Sequence, residues 1–354
     1  MNLLTKQCAN KLKIIIGLFA MGINVLSAQD IQFSQFYAVT PYQNPAFAGG
    51  QHALRGMVHA RAQWPSIEAQ YITGLFSIDN YFSKYNSGVG LMFIRDVEGA
   101  NNVGFTNINA LYSYELPVTK KLSVRAGLQG GYVSKYINTD GLYYPSQIDD
   151  NGNISGNIGL PSTRRNYADI SAGLLGYSER VWGGFSAHHL NQPNQSLFGD
   201  KAKLPTKYAL TTGVRIPISV GHHMAYLHDA DNVSLTPTAH YKMQGKSDQL
   251  DIGCYLTYNQ LMTGVWYRGI PVKRYQKGLH NNESLALSLG WLYNNWSFGY
   301  SYDFVVSKLS RARTGGAHEI NITYVYHKSN KRDKPLKRLP CPDFHRVQKH
   351  SKHH

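Results

Sequence analysis

The chain has 354 residues, of which 42% are hydrophobic and only 16% charged, and its formal net charge is +15. Both fractions lie below those of an ordinary globular domain, roughly 45–50% apolar and about 25% charged, and 33 Gly and 25 Tyr help to fill the difference. Three cysteines exclude a disulfide-dense scaffold. No stretch beyond the N-terminal leader approaches the ~20 consecutive apolar residues of a spanning helix, which excludes a helical membrane protein.

In chain order, Lys6, Lys11 and Lys13 precede the apolar run "IIIGLFAMGINVLS", followed by "AQD". A basic start, a short apolar run and a small-residue exit form a secretory signal peptide, here residues 1–28, with cleavage expected after Ala28 and Leu26 at the −3 position. The run is too short for an uncleaved anchor, and Cys8 lies ahead of it, so it is no lipoprotein acylation site. The mature chain is therefore expected to be exported. Removal of the three leader lysines leaves a net charge of +12.

Residues 29–52 follow as a segment rich in Pro, Asn and aromatics. It is expected either to link in the periplasm or to fold into the lumen of the structure that follows as a plug. The plug is the preferred reading, because a barrel of the size inferred below leaves internal space that side chains alone do not fill.

From residue 53 to 327 the chain reads as about ten-residue segments of dyad periodicity separated by turn residues. In "WSFGYSYDF", Trp296, Phe298, Tyr300, Tyr302 and Phe304 share one face of an extended strand, and Ser297, Gly299, Ser301 and Asp303 the other. "ESLALSLGWLY", "AHEINITYVY" and "KYALTTGVR" behave in the same way. Segments of this length exceed the five or six residues of a soluble sandwich strand; with their aromatic load they predict an all-β fold, a transmembrane antiparallel β-barrel.

Strands are expected near 53–63, 67–79, 86–97, 103–115, 122–135, 166–178, 181–189, 205–215, 231–243, 248–258, 261–269, 283–293, 296–304 and 317–326, about 14 in all. With the N-terminus in the periplasm, the turns at 179–180, 259–260 and 294–295 fall inside and the long connections 136–165, 190–204, 270–282 and 305–316 fall outside, as bacterial barrels require. The link at 64–66 and the connection at 216–230 depart from this rule. The aromatic faces then meet lipid, where only a closed sheet satisfies the backbone. Trp291 and Trp296 join the inner aromatic girdle. The lumen receives Arg55, Arg61, Glu68, Glu115, Arg125, Asp169, Arg215, Asp251, Arg268, Asp303 and Glu319, which must be paired or hydrated there. They form either a bracing network or a pathway.

Residues 328–354 form a basic tail, expected on the periplasmic side. Export argues against nucleic acid as its partner, despite the charge run.

No catalytic constellation stands out, and no enzyme activity, cofactor or metal is expected. Ser186 and His188 share a strand face, the minimum geometry for a nucleophile and base, but no acidic orienter is evident on that strand. His345, His350, His353 and His354 lack a preorganised metal site, and "DDNGNISG" at 149–156 offers oxygen ligands without the terminal carboxylate of a calcium loop.

At "DIQFSQFYAVTPYQNPAFAGG" the sequence resembles the PorP/SprF family of Bacteroidota outer-membrane proteins of the type IX secretion system, through Phe33, Ser34, Gln35, Pro41, Asn44, Pro45, Ala46 and Gly49. "RAQWP" (61–65), "DISAGLLGYSERVWGGFSAHHLNQP" (169–193), "GVWYRG" (264–269), "SYDFVVSKLSRARTGGAHEINITY" (301–324) and "LPCPDF" (339–344) resemble further family blocks in the same order. Gly269 departs from the family's aromatic after the arginine. The 142–165 insert and the block order look more like the SprF branch.

The resemblance implies an accessory secretion component that captures the C-terminal signal domain of a large adhesin and holds it at the cell surface, in contact with other outer-membrane and periplasmic components of the system. Arg61, Trp64, Trp266, Arg268, Asp303, Glu319, Phe33, Asn44, Pro45 and Phe47 are the candidate partner-binding residues. A pore or transporter for small solutes is the alternative.

Overall fold

A computed structural model describes residues 30–68, 70–99, 103–138, 164–197, 200–218, 233–276, 279–306 and 314–327. The signal peptide, the 149–156 loop, Cys341 and the tail from residue 328 lie outside the described residues.

The strands are β1 (Leu54–Gln63), β2 (Tyr71–Phe82), β3 (Ser87–Glu98), β4 (Val103–Thr119), β5 (Leu122–Ile137), β6 (Arg164–Tyr177), β7 (Val181–His188), β8 (Lys207–Val214), β9 (Ile216–Pro217), β10 (Val233–Gln244), β11 (Ser247–Tyr258), β12 (Leu261–Gln276), β13 (Leu279–Tyr293), β14 (Trp296–Val305) and β15 (Ala317–Tyr326). β8 and the two-residue β9 both pair with β10 and form one interrupted stave of the wall. The sheet is therefore a closed antiparallel barrel of 14 strands. Closure is made by β1, which pairs with β2 on one side and with β15 on the other, in the register Arg61↔Glu319.

Alternation fixes which face meets lipid. Val58, Phe76, Leu91, Ile108, Leu128, Leu174, Leu210, Leu289, Tyr300 and Ile320 point outward and are exposed. Trp291 and Trp296 flank the Asn294–Asn295 turn, Trp296 lying 4.6 Å from Tyr324 between ring centroids. A side chain the wall leaves exposed in this way is stabilised only if the surroundings are hydrocarbon.

Three expectations need correction. The connection 270–282 is not a long external loop: β12 and β13 continue through it, with register shifts between Arg268 and Gly269, Ile270 and Arg274, and Arg274 and Gln276. The bulges break the dyad pattern, so alternation fades at Gly269 although pairing goes on. Glu68 does not face the lumen. It is exposed in the turn after β1, where the Ile67 N–H donates to the Trp64 carbonyl at 3.2 Å, because β2 begins only at Tyr71. Arg215, by contrast, is half-buried at the break between β8 and β9, where its N–H donates to the Arg180 carbonyl at 2.7 Å. Finally, the inner face is not given over to the expected charges alone. Met57, Leu75, Met92, Ile94 and Leu111 of β1–β4 are buried inside, and so are Trp182, Tyr255, Met262 and Trp266 on the opposite arc.

Candidate functional site

The inward apolar side chains have a partner. Residues 33–48 run through the lumen and are almost wholly buried, Val39, Ala46 and Ala48 at 0% exposure. The segment opens with turns, makes one helical turn at Thr40–Gln43 with Pro41 in its first positions, and then a 3-10 turn at Pro45–Phe47 with Pro45 at its start. Proline suits both places, since the first N–H groups of a helix have no internal acceptor. Asn44 joins the two turns: its Oδ1 accepts the Ala46 N–H at 2.9 Å, and its Nδ2 donates to the carbonyls of Leu174 (2.9 Å) and Phe185 (3.1 Å) on β6 and β7.

Three aromatic side chains of the segment build a core inside the barrel. Phe33 meets Tyr42 and His59 edge-on, at 5.0 and 4.8 Å. Phe36 stacks on His240 at 5.3 Å, and Tyr37 on Trp266 at 5.0 Å with the rings 16° from parallel. Fully burying one such ring stabilises by about 1.5–3 kcal/mol. Burial pushes the Tyr37 phenol above its ordinary value, so it packs as a neutral ring.

The polar frame centres on Glu319 of β15. Its carboxylate accepts the backbone N–H groups of Ser34 and Gln35, both at 2.8 Å. It also pairs with Arg61 at 2.6 Å and His59 at 2.9 Å. Arg61 reaches Asp303 at 3.0 Å and the Ser34 hydroxyl at 2.9 Å. Arg268 bridges Asp251 (3.1 Å) and Asp303 (3.3 Å) and donates to the Phe33 carbonyl (3.3 Å) and Ser34 Oγ (3.0 Å). Residues from β1, β11, β12, β14 and β15 thus converge on one short stretch, Phe33–Gln35. Buried charges persist in such a place only when paired and fully hydrogen-bonded. Lower in the barrel, Arg55 pairs with Asp79 (2.8 Å), whose other oxygen accepts the Gly49 N–H at 2.5 Å. Arg125 donates to the Ala48 carbonyl at 2.5 Å. Glu115 accepts from Tyr177 and pairs with His52, both at 2.9 Å.

Of the residues singled out from the sequence, Phe33, Arg61, Arg268, Asp303 and Glu319 come together in this hub. Trp266 lies under Tyr37, and Asn44, Pro45 and Phe47 form the turn against β4–β6. Trp64 does not join them. It stands at the outer end of β1 with positive φ (58°), its N–H bonded to the Gly316 carbonyl at 2.8 Å and its ring edge-on to Tyr71 at 5.5 Å. Ser186 and His188 both address the Gln43 carbonyl, at 2.8 and 3.2 Å, and so hold the segment. Sequence reasoning missed His59, Asp79 and Tyr37. The first two occupy inward positions of β1 and β2 and were open to the alternation argument; Tyr37 carries no periodic signal.

The model of one protein family, described as "Type IX secretion system membrane protein PorP/SprF", matches residues 25–324. The chain belongs to the PorP/SprF family. It is thus an outer-membrane component of the type IX secretion system. No protein of curated function matches it. Solved barrels that resemble it include Omp33 of Acinetobacter baumannii (9% identity, 78% of this chain and 100% of that one, TM-score 0.43). The toluene transporter TbuX of Ralstonia pickettii is similar at 11% identity over 82% of this chain and 94% of that one, TM-score 0.46. The P. putida toluene transporter TodX is similar at 9% identity over 81% and 93%, TM-score 0.46.

Proposed function

We propose that this PorP/SprF protein is a non-enzymatic anchor that binds the C-terminal signal domain of a large surface adhesin and holds it at the cell surface. One observation carries the preference for an anchor over a solute pore: residues 33–48 occupy the lumen and are fixed to both sides of the wall, by Glu319, Arg61 and Arg268 on one arc and by Asn44 on the other. A solute pathway needs a continuous wet route, and this lumen is spent on a core. The ten singled-out residues then divide by task. Nine build or hold the plug, and Trp64 at the outer corner is available to a partner. The external loops 136–165 and 190–204 are the further expected contacts, since loops on a rigid scaffold carry recognition.

Affinity purification of the tagged protein from native membranes tests this. Recovery of an adhesin, or of its isolated C-terminal domain, is the expected result. A lone barrel that captures no adhesin and conducts ions in planar bilayers would overturn it. Deleting residues 30–49 should raise conductance; an unchanged value would show that the segment is not the obstruction.

A further inference from the structure

Near the outer ends of β3–β6 the lipid-facing side of the wall turns polar. Outward positions of β4 run Leu116, Tyr114, Tyr112, Ala110 and Ile108, all exposed, and then Thr106 and Gly104. The register carries that change across four strands: Arg95 of β3 pairs with Thr106, Thr106 with Ser134 of β5, and Ser134 with Asn166 of β6. The row just below, Phe93, Ile108, Tyr132 and Ala168, is exposed and carries no charge. One row further out, Tyr136 stands opposite Arg164. Arg95 Nη2 donates to the Tyr136 hydroxyl at 3.3 Å, and its guanidinium carbon lies 6.0 Å from the ring centre. That bridge crosses β4 at Gly104, where a Cβ would lie 2.7 Å from the same hydroxyl. On its other side Arg95 pairs with Gly74, at which a Cβ would meet nothing within 4 Å, so space is open beside it. Arg95 and Arg164 are both exposed. Asp96 and Glu98, the acids at this end of β3, alternate to the lumen side.

The height of this patch follows from strand geometry. Leu116 to Thr106 covers roughly 34 Å of strand, or about 26 Å of height at a tilt of ~40°, and the apolar band of such barrels is about 25 Å tall. The polar rows therefore meet the outer leaflet at headgroup level. An arginine facing lipid is strongly unfavourable at the midplane and nearly neutral at the interface. What a headgroup offers there to guanidinium groups is phosphate, which the planar fork takes in two parallel hydrogen bonds. We propose that Arg95 and Arg164, with Tyr136 between them, hold the phosphate of an outer-leaflet lipid against β3–β6. Thr106, Ser134 and Asn166 below them suit the sugar or glycerol oxygens that carry the phosphate. The occupant is a lipid and not a protein, because the patch continues upward a face whose lower rows already lie among acyl chains. The site depends on the barrel alone and not on capture of an adhesin.

Native mass spectrometry of the full mature chain in detergent tests this, with bisphosphorylated lipid A and the same lipid stripped of phosphate as probes. The phosphorylated lipid should bind at least about tenfold more tightly than the stripped one. R95Q/R164Q should weaken the phosphorylated lipid at least about tenfold and leave the stripped one unchanged. R95K/R164K should weaken it less, since an ammonium keeps the charge and loses the fork. K84Q/K121Q, at the opposite end of the strands, should change nothing. Heat-modifiable gel mobility reports that each barrel folds. If R95Q/R164Q does not, R164Q alone, at the first residue of β6, carries the test with an expected loss of at least about threefold. Inorganic phosphate in large excess should leave the lipid bound. Equal binding of the two lipids, or unchanged binding by the glutamine variants, would overturn the inference. Displacement by inorganic phosphate would overturn it too, by assigning the arginines to a free anion instead of a lipid.

Discussion

Two sectors of the wall receive the lumen segment by different physics. On β1, β11, β12, β14 and β15 the contact is directional: Glu319, Asp303 and Arg268 address individual backbone and side-chain atoms of Phe33–Gln35. On β3, β5 and β6 a steric fit is added to the hydrogen bonds of Arg125 and Asn44. A Cβ on Gly88 would collide with the Ala48 carbonyl, one on Gly127 with the Pro45–Ala46 backbone, and one on Gly173 with the Asn44 side chain. The first sector sets which residues of the segment sit where, and the second sets how deeply the segment lies. A charge network fails when one atom is removed; a steric fit fails when one is added.

The comparison can be broken from either side. Glu319→Ala should have the largest effect, because it strips the acceptor from two backbone N–H groups and leaves Arg61 and His59 buried with less compensation. Breaking such a pair costs ~3–5 kcal/mol, and the lower end applies here since Arg61 keeps Asp303. Hydrogen exchange of amides 33–48 should speed up by at least about a hundredfold, and unchanged protection would mean that shape alone retains the segment. Gly127→Ala should cost less, ~1–3 kcal/mol, as overpacking does, since the turn Pro45–Phe47 can shift. If exchange in Gly127→Ala exceeded that in Glu319→Ala, the order of the two sectors would be reversed. Asn44→Ala touches both the turn and the wall. It should cost about 1–3 kcal/mol by leaving the Ala46 N–H and two strand carbonyls without their amide partner, with exchange rising most at Ala46.

The wall was legible in the sequence because side-chain alternation and lipid demand the same pattern; every expected strand from 53 to 326 has a counterpart. The errors came where the pattern is locally cancelled, at the bulges after Arg268 and at Glu68 in a turn. The plug was legible as a preferred reading, from a segment without periodicity and a lumen that side chains alone do not fill. Its seat was half-legible. Inward Arg61, Arg268, Asp303 and Glu319 could be read from alternation, whereas the apolar inner face of Met57, Leu75 and Met92 could not, because a barrel lumen is ordinarily polar. Inward glycines such as Gly127 and outward ones such as Gly130 also look alike in sequence, since glycine has no side chain to betray its face.

That ambiguity supplies the smallest expected effect and the sharpest control. Gly127 and Gly130 are three residues apart on β5, so their Cα atoms point to opposite faces. A Cβ at Gly130 would meet nothing within 4 Å, whereas one at Gly127 strikes the plug. Gly130→Ala should therefore change neither the exchange of amides 33–48 nor the heat-modifiable mobility by more than about 0.5 kcal/mol. The small gain in strand propensity and in lipid-facing apolar area acts on the wall and not on the segment. If Gly130→Ala loosened amides 33–48 as much as Gly127→Ala, the collision at Gly127 could not be the cause. The effect would then belong to β5 itself, and the steric sector would lose its standing as a distinct means of holding the plug.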